Sequence, residues 1–264
     1  MGRLWASALT FLPQKWITVQ AGRWAASSLS QSAIPWFIRT YDIDVAQAEK
    51  PWQEYKTLGE FFARRLRPGM RPVAQEASAI VSPVDGLISQ MGTIEQGRMI
   101  QAKGMDYTAA DLLADTEQAV RYHQGQFMTI YLSPRDYHRI HTPVTGAVTG
   151  TTFCPGRLYP VNDRGVTSVP GLLARNERVI TYLDSPFGQV AVVKVGAMIV
   201  GSVQLAYEPG EAPGTRLEKG DELGHFQFGS TVILLFEPGR ITWRPGIACG
   251  QRVITGQAIA DGRT

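Results

Sequence analysis

Apolar positions change their period along the chain, and the change divides it. Leu4, Trp5, Ala8, Leu9 and Leu12 recur at helical spacing until Pro13 interrupts them, well short of the ~20 apolar residues that a bilayer-spanning helix needs. Thr57-Leu-Gly-Glu60 then reads as a capping box leading into Phe61 and Phe62, and Pro68-Gly69 predicts the end of that helix near Arg67. From about Ile80 onward short β-branched runs punctuated by glycine take over. Gln126 to Leu132, Arg178 to Leu183 and Gln189 to Val195 read as strands, the last two joined into a hairpin through Asp184-Ser-Pro-Phe-Gly188. One helix interrupts them after Thr108, where Asp111 completes a second capping-box spacing and Leu112 and Leu113 face inward. The pattern predicts an α+β, β-rich protein: amphipathic helices over 1–67 and a β core over 68–264.

Two internal echoes refine the core. Pro83-Val-Asp-Gly-Leu-Ile-Ser89 is matched by Pro143-Val-Thr-Gly-Ala-Val-Thr149, and Lys219-Gly-Asp-Glu-Leu-Gly224 more weakly by Thr255-Gly-Gln-Ala-Ile-Ala260. Glycine-centred turns between short strands resemble those of biotinyl and lipoyl carrier domains and of duplicated-hybrid barrels, which implies a compact barrel-sandwich core. The most apolar run, Phe226 to Phe236, contains Gly229-Ser230-Thr231, and a glycine inside such a run marks a bulge or a close backbone approach. It reads either as a kinked strand or as a serine whose hydroxyl can reach the carbonyl of its own neighbour.

Charge and cysteine usage narrow the partners. A formal net charge of +3 without a block of like charges argues against nucleic acid. Cys154 and Cys249 lack C-x-x-C spacing, which removes a thiol-redox motif and a cysteine-rich zinc site, and two free thiols in a reducing compartment is the simpler expectation than one disulfide. Arg3, Lys15, Arg23 and Arg39 all precede the first acidic residue, Asp42, and are interleaved with Trp5, Trp16, Trp24 and Trp36. Such helices suit the headgroup boundary of a membrane, and they equally suit packing on the core or on a partner subunit. Leu4 to Leu12 has the length of a signal-peptide apolar region, but no small-residue cleavage site follows it.

Candidate chemistry gathers around His138 and His141, three residues apart after a strand end. With Asp85 they would make a two-histidine, one-carboxylate zinc site; as neutral imidazoles they would serve as acid and base beside a nucleophile; or they are ordinary loop residues. Asp85 in Asp-Gly is either a turn residue bonded to backbone or the orienter of a histidine in a Ser-His-Asp arrangement with Ser230.

Several of these segments occur together in one family. Ser133-Pro-Arg-Asp-Tyr-His-Arg-Ile-His141, Gln101-Ala-Lys-Gly104, Val84-Asp-Gly86, Ala174-Arg-Asn-Glu-Arg-Val-Ile180 and Phe228-Gly-Ser-Thr231 make the chain resemble the bacterial phosphatidylserine decarboxylase proenzymes over nearly its whole length. It departs in carrying Phe228 where that family usually has leucine, and in a shorter segment between Val203 and Lys219.

The resemblance implies a self-processing, pyruvoyl-dependent decarboxylase. His141, held by Asp85, would take the proton of Ser230, whose oxygen attacks the Gly229 carbonyl and turns the amide into an ester; β-elimination then splits the chain. Residue 230 would become the pyruvoyl group, leaving a β subunit, 1–229, and an α subunit, 230–264. The pyruvoyl would form a Schiff base with the amine of phosphatidylserine, which loses carbon dioxide to give phosphatidylethanolamine. His138 would donate the proton or position substrate, and Tyr159 and Val161 would line the substrate site. The resemblance further implies a homodimer of such pairs, docked peripherally on the cytoplasmic side of the cell membrane through residues 1–42. The rival reading is a zinc hydrolase built on Asp85, His138 and His141; a carrier domain would need a modifiable lysine at a glycine-flanked turn, which is not evident.

Overall fold

A computed structural model describes residues 14–102, 105–197, 203–208, 214–227 and 230–264. The apolar stretch Leu4 to Leu12 lies outside them, as does Gly229. Helices Gln14–Ala25 and Ile34–Tyr41 open the described chain, the second stopped by Asp42 in the left-handed region at φ 52°. The Thr57 hydroxyl accepts from Glu60 N–H at 3.0 Å as the capping pattern requires, but Glu60 reaches back to Lys56 N–H instead of Thr57. That helix is only Leu58–Phe62, shorter than the predicted run to Arg67. Arg64 is buried and donates to the Arg135 and Asp136 carbonyls, so the chain leaves the helix to seat it. Leu58, Phe61 and Phe62 pack with Ile34, Phe37, Ile43 and Tyr55 into a satellite core.

Among the described residues, eight antiparallel strands form the main sheet, with Ser230–Phe236 at its centre between Gln126–Leu132 and Gly188–Val195. All seven residues of the central strand are buried. Val232, Leu234 and Phe236 enter one apolar layer with Ile140, Leu223 and Phe226, while Ile233 and Leu235 enter the opposite layer with Leu112, Tyr122 and Ile180. A strand covered on both faces reads as a continuous apolar run, which is why this segment shows no alternation. The predicted hairpin forms between Arg178–Ser185 and Gly188–Val195, and the predicted capping box is complete at Thr108 and Asp111. Cys154 and Cys249 are both free thiols.

The two echoes are structural counterparts. Ser82 Oγ donates to Val84 O at 2.7 Å and Thr142 Oγ1 to Val144 O at 3.0 Å, so both turns close in the same way. They are also paired: Val81 N–H donates to Pro143 O, and His141 N–H donates to Pro83 O. The weaker echo follows, since Ser82 exchanges bonds with Gln257 and Gly256 as Thr142 does with Asp221 and Gly220. This reciprocal arrangement joins the strands Ala79–Val81 and Ala258–Gly262 in one small sheet, and Arg139–His141 and Glu222–His225 in another. Asp85 and Thr145 occupy equivalent places, each accepting a backbone N–H, from Thr255 at 2.9 Å and from Lys219 at 3.0 Å. The α+β, β-rich class expected from the sequence is what the chain adopts.

One residue departs from the apolar pattern. Lys194, inside the Gly188–Val195 strand, is fully buried and donates to Thr181 Oγ1, which with Thr151 also contacts the Tyr207 hydroxyl. Burial lowers its pKa from 10.5 to about 7. Between those values the unfolded chain binds a proton that the folded chain does not, so this group makes stability rise with pH across that window. Lys194→Met is therefore expected to stabilise the fold by about 1–4 kcal/mol at neutral pH and to flatten the rise between pH 7 and 9. Urea midpoints at both pH values measure this, and a lower midpoint in the variant would contradict it.

Candidate active site

Asp85 is placed by the turn that ends at Gly86, where a side chain would come within 2.6 Å of Tyr131 O. Only glycine lets the chain enter the Gly86–Thr93 strand there. The carboxylate is buried and fully engaged: Arg71 Nε donates at 2.8 and 3.0 Å, Arg71 Nη2 adds a third bond, and Thr255 donates through N–H at 2.9 Å and Oγ1 at 3.1 Å. This fork-on-carboxylate geometry fixes the position of the carboxylate. Asp85 and Arg71 face a cleft of about 220 Å³ shared with Asp136, Tyr137 and Arg252.

His141 stands beside that turn because its own N–H binds Pro83 O at 2.8 Å. Its Nδ1 lies 2.7 Å from Gly220 O. A carbonyl only accepts, so Nδ1 carries the proton and Nε2 the lone pair, which faces the Tyr137 hydroxyl at 3.1 Å. Burial pushes the pKa of His141 down, with Glu222 and Asp85 opposing through space. The result is a neutral imidazole whose base nitrogen accepts from the Tyr137 hydroxyl. The expected Asp85–His141 hydrogen bond is replaced: Gly220 O orients the ring, and Asp85 acts on it only by its charge.

His138 is fully buried, its ring centroid 4.0 Å from that of Phe62. Its Nδ1 donates to Asp136 O at 2.9 Å, while Nε2 has no partner. Burial lowers its pKa to about 3, so the ring stays neutral at physiological pH. Asp136, which the sequence did not single out, holds the loop: it accepts from Ser133 N–H at 2.7 Å and from Arg252 Nη2.

Ser230 opens the central strand opposite Leu132, the last residue before the loop that carries Asp136 and His138. Leu87, Tyr131 and Thr231 stand level across three strands, so Asp85 and Ser230 lie at the same end of the sheet, two interstrand steps or roughly 10 Å apart laterally. The Ser230 hydroxyl is fully buried and has no hydrogen-bond partner among the described residues. Buried polar atoms are nearly always satisfied, and Ser230 Oγ and His138 Nε2 are exceptions among the described residues, as are Tyr55 OH, Tyr107 OH, Thr129 Oγ1, Gln118 Oε1 and two nitrogens of Arg64. Tyr159 and Val161 are both buried in the layer of Ile233 and Leu235, their loop clamped by Asn176, which exchanges bonds with the Tyr159 backbone at 2.9 and 2.8 Å.

Among the described residues, no group of three histidine, cysteine or acidic side chains converges as a metal site. His138 Nδ1, His141 Nδ1 and the Asp85 carboxylate are each turned to their own partners. Arg71, Tyr137 and Gly220 were missed from sequence because they act from irregular segments; the only available hint was the echo that equates the Thr255 and Lys219 turns.

The arrangement defines an α+β protein with a carboxylate, two neutral imidazoles and an unpartnered serine at one end of a buried antiparallel sheet. A family model described as phosphatidylserine decarboxylase matches residues 58–261. The chain is 48% identical to a phosphatidylserine decarboxylase proenzyme of Brevibacillus brevis over 94% of both chains. It is 46% identical to one from an Anaeromyxobacter species over 97% of this chain and 98% of that one. A proenzyme of Shewanella putrefaciens is 41% identical over 95% and 94%. The chain belongs to the phosphatidylserine decarboxylase family.

Proposed function

We propose that this chain is a self-processing decarboxylase that converts phosphatidylserine to phosphatidylethanolamine and carbon dioxide. The observation that carries the reading is the buried, unpartnered hydroxyl of Ser230 at the start of the central strand. A serine needing neither solvent nor a structural hydrogen bond is free to be consumed. His141, neutral with its lone pair on Nε2, takes the Ser230 proton; Asp85, pinned by Arg71 and Thr255, stabilises the imidazolium by its charge. The Ser230 oxygen attacks the Gly229 carbonyl, and the C–N bond breaks so that the amide becomes an ester with a free amine on residue 230. Removal of the residue 230 Cα proton with cleavage of its Cβ–O bond then releases residues 1–229 as a carboxylate and leaves dehydroalanine. Hydrolysis with release of ammonia leaves a pyruvoyl group as residue 230.

The surroundings fit such a group: residue 230 is closed to water, and its strand partner Leu132 leads into the loop that carries the buried, unpartnered His138 Nε2. When formed, a pyruvoyl group supplies a ketone that takes up a primary amine and draws off the electron pair left as carbon dioxide departs. His138, held neutral and fixed by Asp136 O, positions the substrate and presents the Nε2 lone pair, which takes a proton from the substrate ammonium group and returns it to the carbon that has lost carbon dioxide. Tyr159 and Val161 lie in the layer on the other face of the sheet from the Ser230 side chain, so a part for them in substrate binding rests on the family resemblance alone. The 230–264 piece stays in place after cleavage because Ser230–Phe236 is paired on both edges.

A lipid substrate calls for an enzyme at the membrane surface. Exposed Trp16, Val19, Trp24, Leu29 and Trp36 support docking through residues 1–42, and no described helix is long and apolar enough to span a bilayer. Docking is peripheral, on the cytoplasmic side of the cell membrane, by a homodimer of the cleaved pairs. Intact-mass measurement tests the reading. Two fragments are expected, 1–229 and 230–264, the smaller one blocked at its amino terminus; a single full-length chain with decarboxylase activity would overturn it.

A further inference from the structure

A cavity of about 970 Å³ lies apart from the Ser230 site. It lies between the Gln14–Ala25 helix, the end of the Gly146–Cys154 strand and the Leu172–Arg175 helix. Arg157, Arg175 and Arg178 line it, and no acidic residue among the described residues does. None of the three makes an ion pair with a carboxylate among the described residues.

Arg178 is the informative member. It is 5% exposed, and its guanidinium donates only to carbonyls: Leu112 O at 2.5 Å, Asp111 O at 2.6 Å and Asn176 O at 3.0 Å. The nearby Asp111 carboxylate is committed to its capping box at Thr108. A buried cation without a counter-charge is costly unless a ligand supplies one. The other two are held in place: a side chain on Gly156 would come within 2.5 Å of Arg175 O, so the loop bearing Arg157 is pressed onto the helix end bearing Arg175. The Arg175 guanidinium in turn lies 5.5 Å over the Tyr159 ring. At the same cavity stand Trp16, 64% exposed, and Phe153, 56% exposed.

A cationic floor with exposed aromatics beside it complements an amphiphilic anion. We propose that this cavity binds the phosphate headgroup of an acidic phospholipid at the bilayer surface, as a second lipid site distinct from the catalytic one. Strand alternation separates the two: Arg178 lies on the side of Ile180 and Tyr182, whereas Ser230 lies on the opposite side with Val232. The Ala174-Arg-Asn-Glu-Arg178 segment, which takes no part in the Ser230 chemistry, thereby has a role. The inference rests on the membrane-docking reading given above and adds to it a site and a lipid class.

The test uses the full chain and its Arg157→Glu/Arg175→Glu variant, both positions being solvent-exposed. Sedimentation with vesicles of phosphatidylcholine alone, or with one-fifth phosphatidylglycerol, is measured at physiological salt. Each lipid-facing cation near an anionic surface contributes about 1 kcal/mol, so the wild type is expected to prefer the anionic vesicles and the variant to lose roughly tenfold or more of that binding. Self-cleavage and binding to neutral vesicles should be the same in both. Equal binding of wild type and variant to anionic vesicles overturns the lipid site while leaving membrane docking intact. No binding of wild type to either vesicle overturns the docking reading as well. Thermal stabilisation of the wild type alone by inorganic phosphate, without preference for anionic vesicles, overturns the lipid assignment in favour of a soluble phosphate ligand.

Discussion

Ser230→Ala is expected to leave the chain uncut at full length, folded, and without decarboxylase activity, a loss of at least ~10⁴-fold. The argument is thermodynamic as well as chemical. The hydroxyl is buried and makes no hydrogen bond, so removing it takes away a desolvated polar atom and no native contact. Stability should therefore hold or rise slightly, which separates this variant from one that fails by misfolding. Gel mobility and intact mass report the uncut chain, carbon dioxide release reports activity, and a urea melt confirms the fold. Cleavage in this variant would remove Ser230 from the mechanism.

The second large effect is a separation of the two histidines. His141→Ala is expected to slow self-cleavage by about 10²–10⁴, the range for loss of a general base, because Nε2 is the lone pair at the Asp85 turn. In His138→Asn cleavage should proceed, because the asparagine amide can still donate to Asp136 O, while decarboxylation falls by ~10² or more for want of Nε2. With its pKa lowered to about 3, His138 should impose no titration on the reaction between pH 5 and 8. Pulse-chase cleavage and turnover of the processed enzyme measure the two steps separately. If His138→Asn blocked cleavage and His141→Ala did not, the roles would be exchanged.

Much of the scaffold was legible in the chain because burial leaves a local trace. The 226–236 run read as a kinked strand, of which Ser230–Phe236 forms and is covered on both faces; the 178–195 pattern read as a hairpin; and the repeated Pro-Val-x-Gly turns read as echoes, which the hydrogen bonds at Ser82 and Thr142 close alike. The helix after Thr57 was overextended, since residue patterning does not register that Arg64 is drawn inward by carbonyls more than 70 positions away. For the same reason the partners of the site residues were not legible. Arg71 and Thr255 converge on Asp85 from opposite ends of the core, and Gly220 reaches His141 across 79 positions.

What the sequence by itself determined was the order of elements, the buried central strand and the candidates Asp85, His138, His141 and Ser230, because apolar periodicity, turn chemistry and motif spacing are properties of neighbouring residues. Tertiary structure alone decided which of their atoms are engaged and which are left bare. Strand register set Ser230 opposite Leu132, the reciprocal turns set His141 beside Asp85, and long-range contacts gathered three arginines around one cavity. Hydrogen-bond direction and desolvation depend on groups brought together only by folding, so the protonation of each imidazole and the isolation of the Ser230 hydroxyl had no signal in the order of residues.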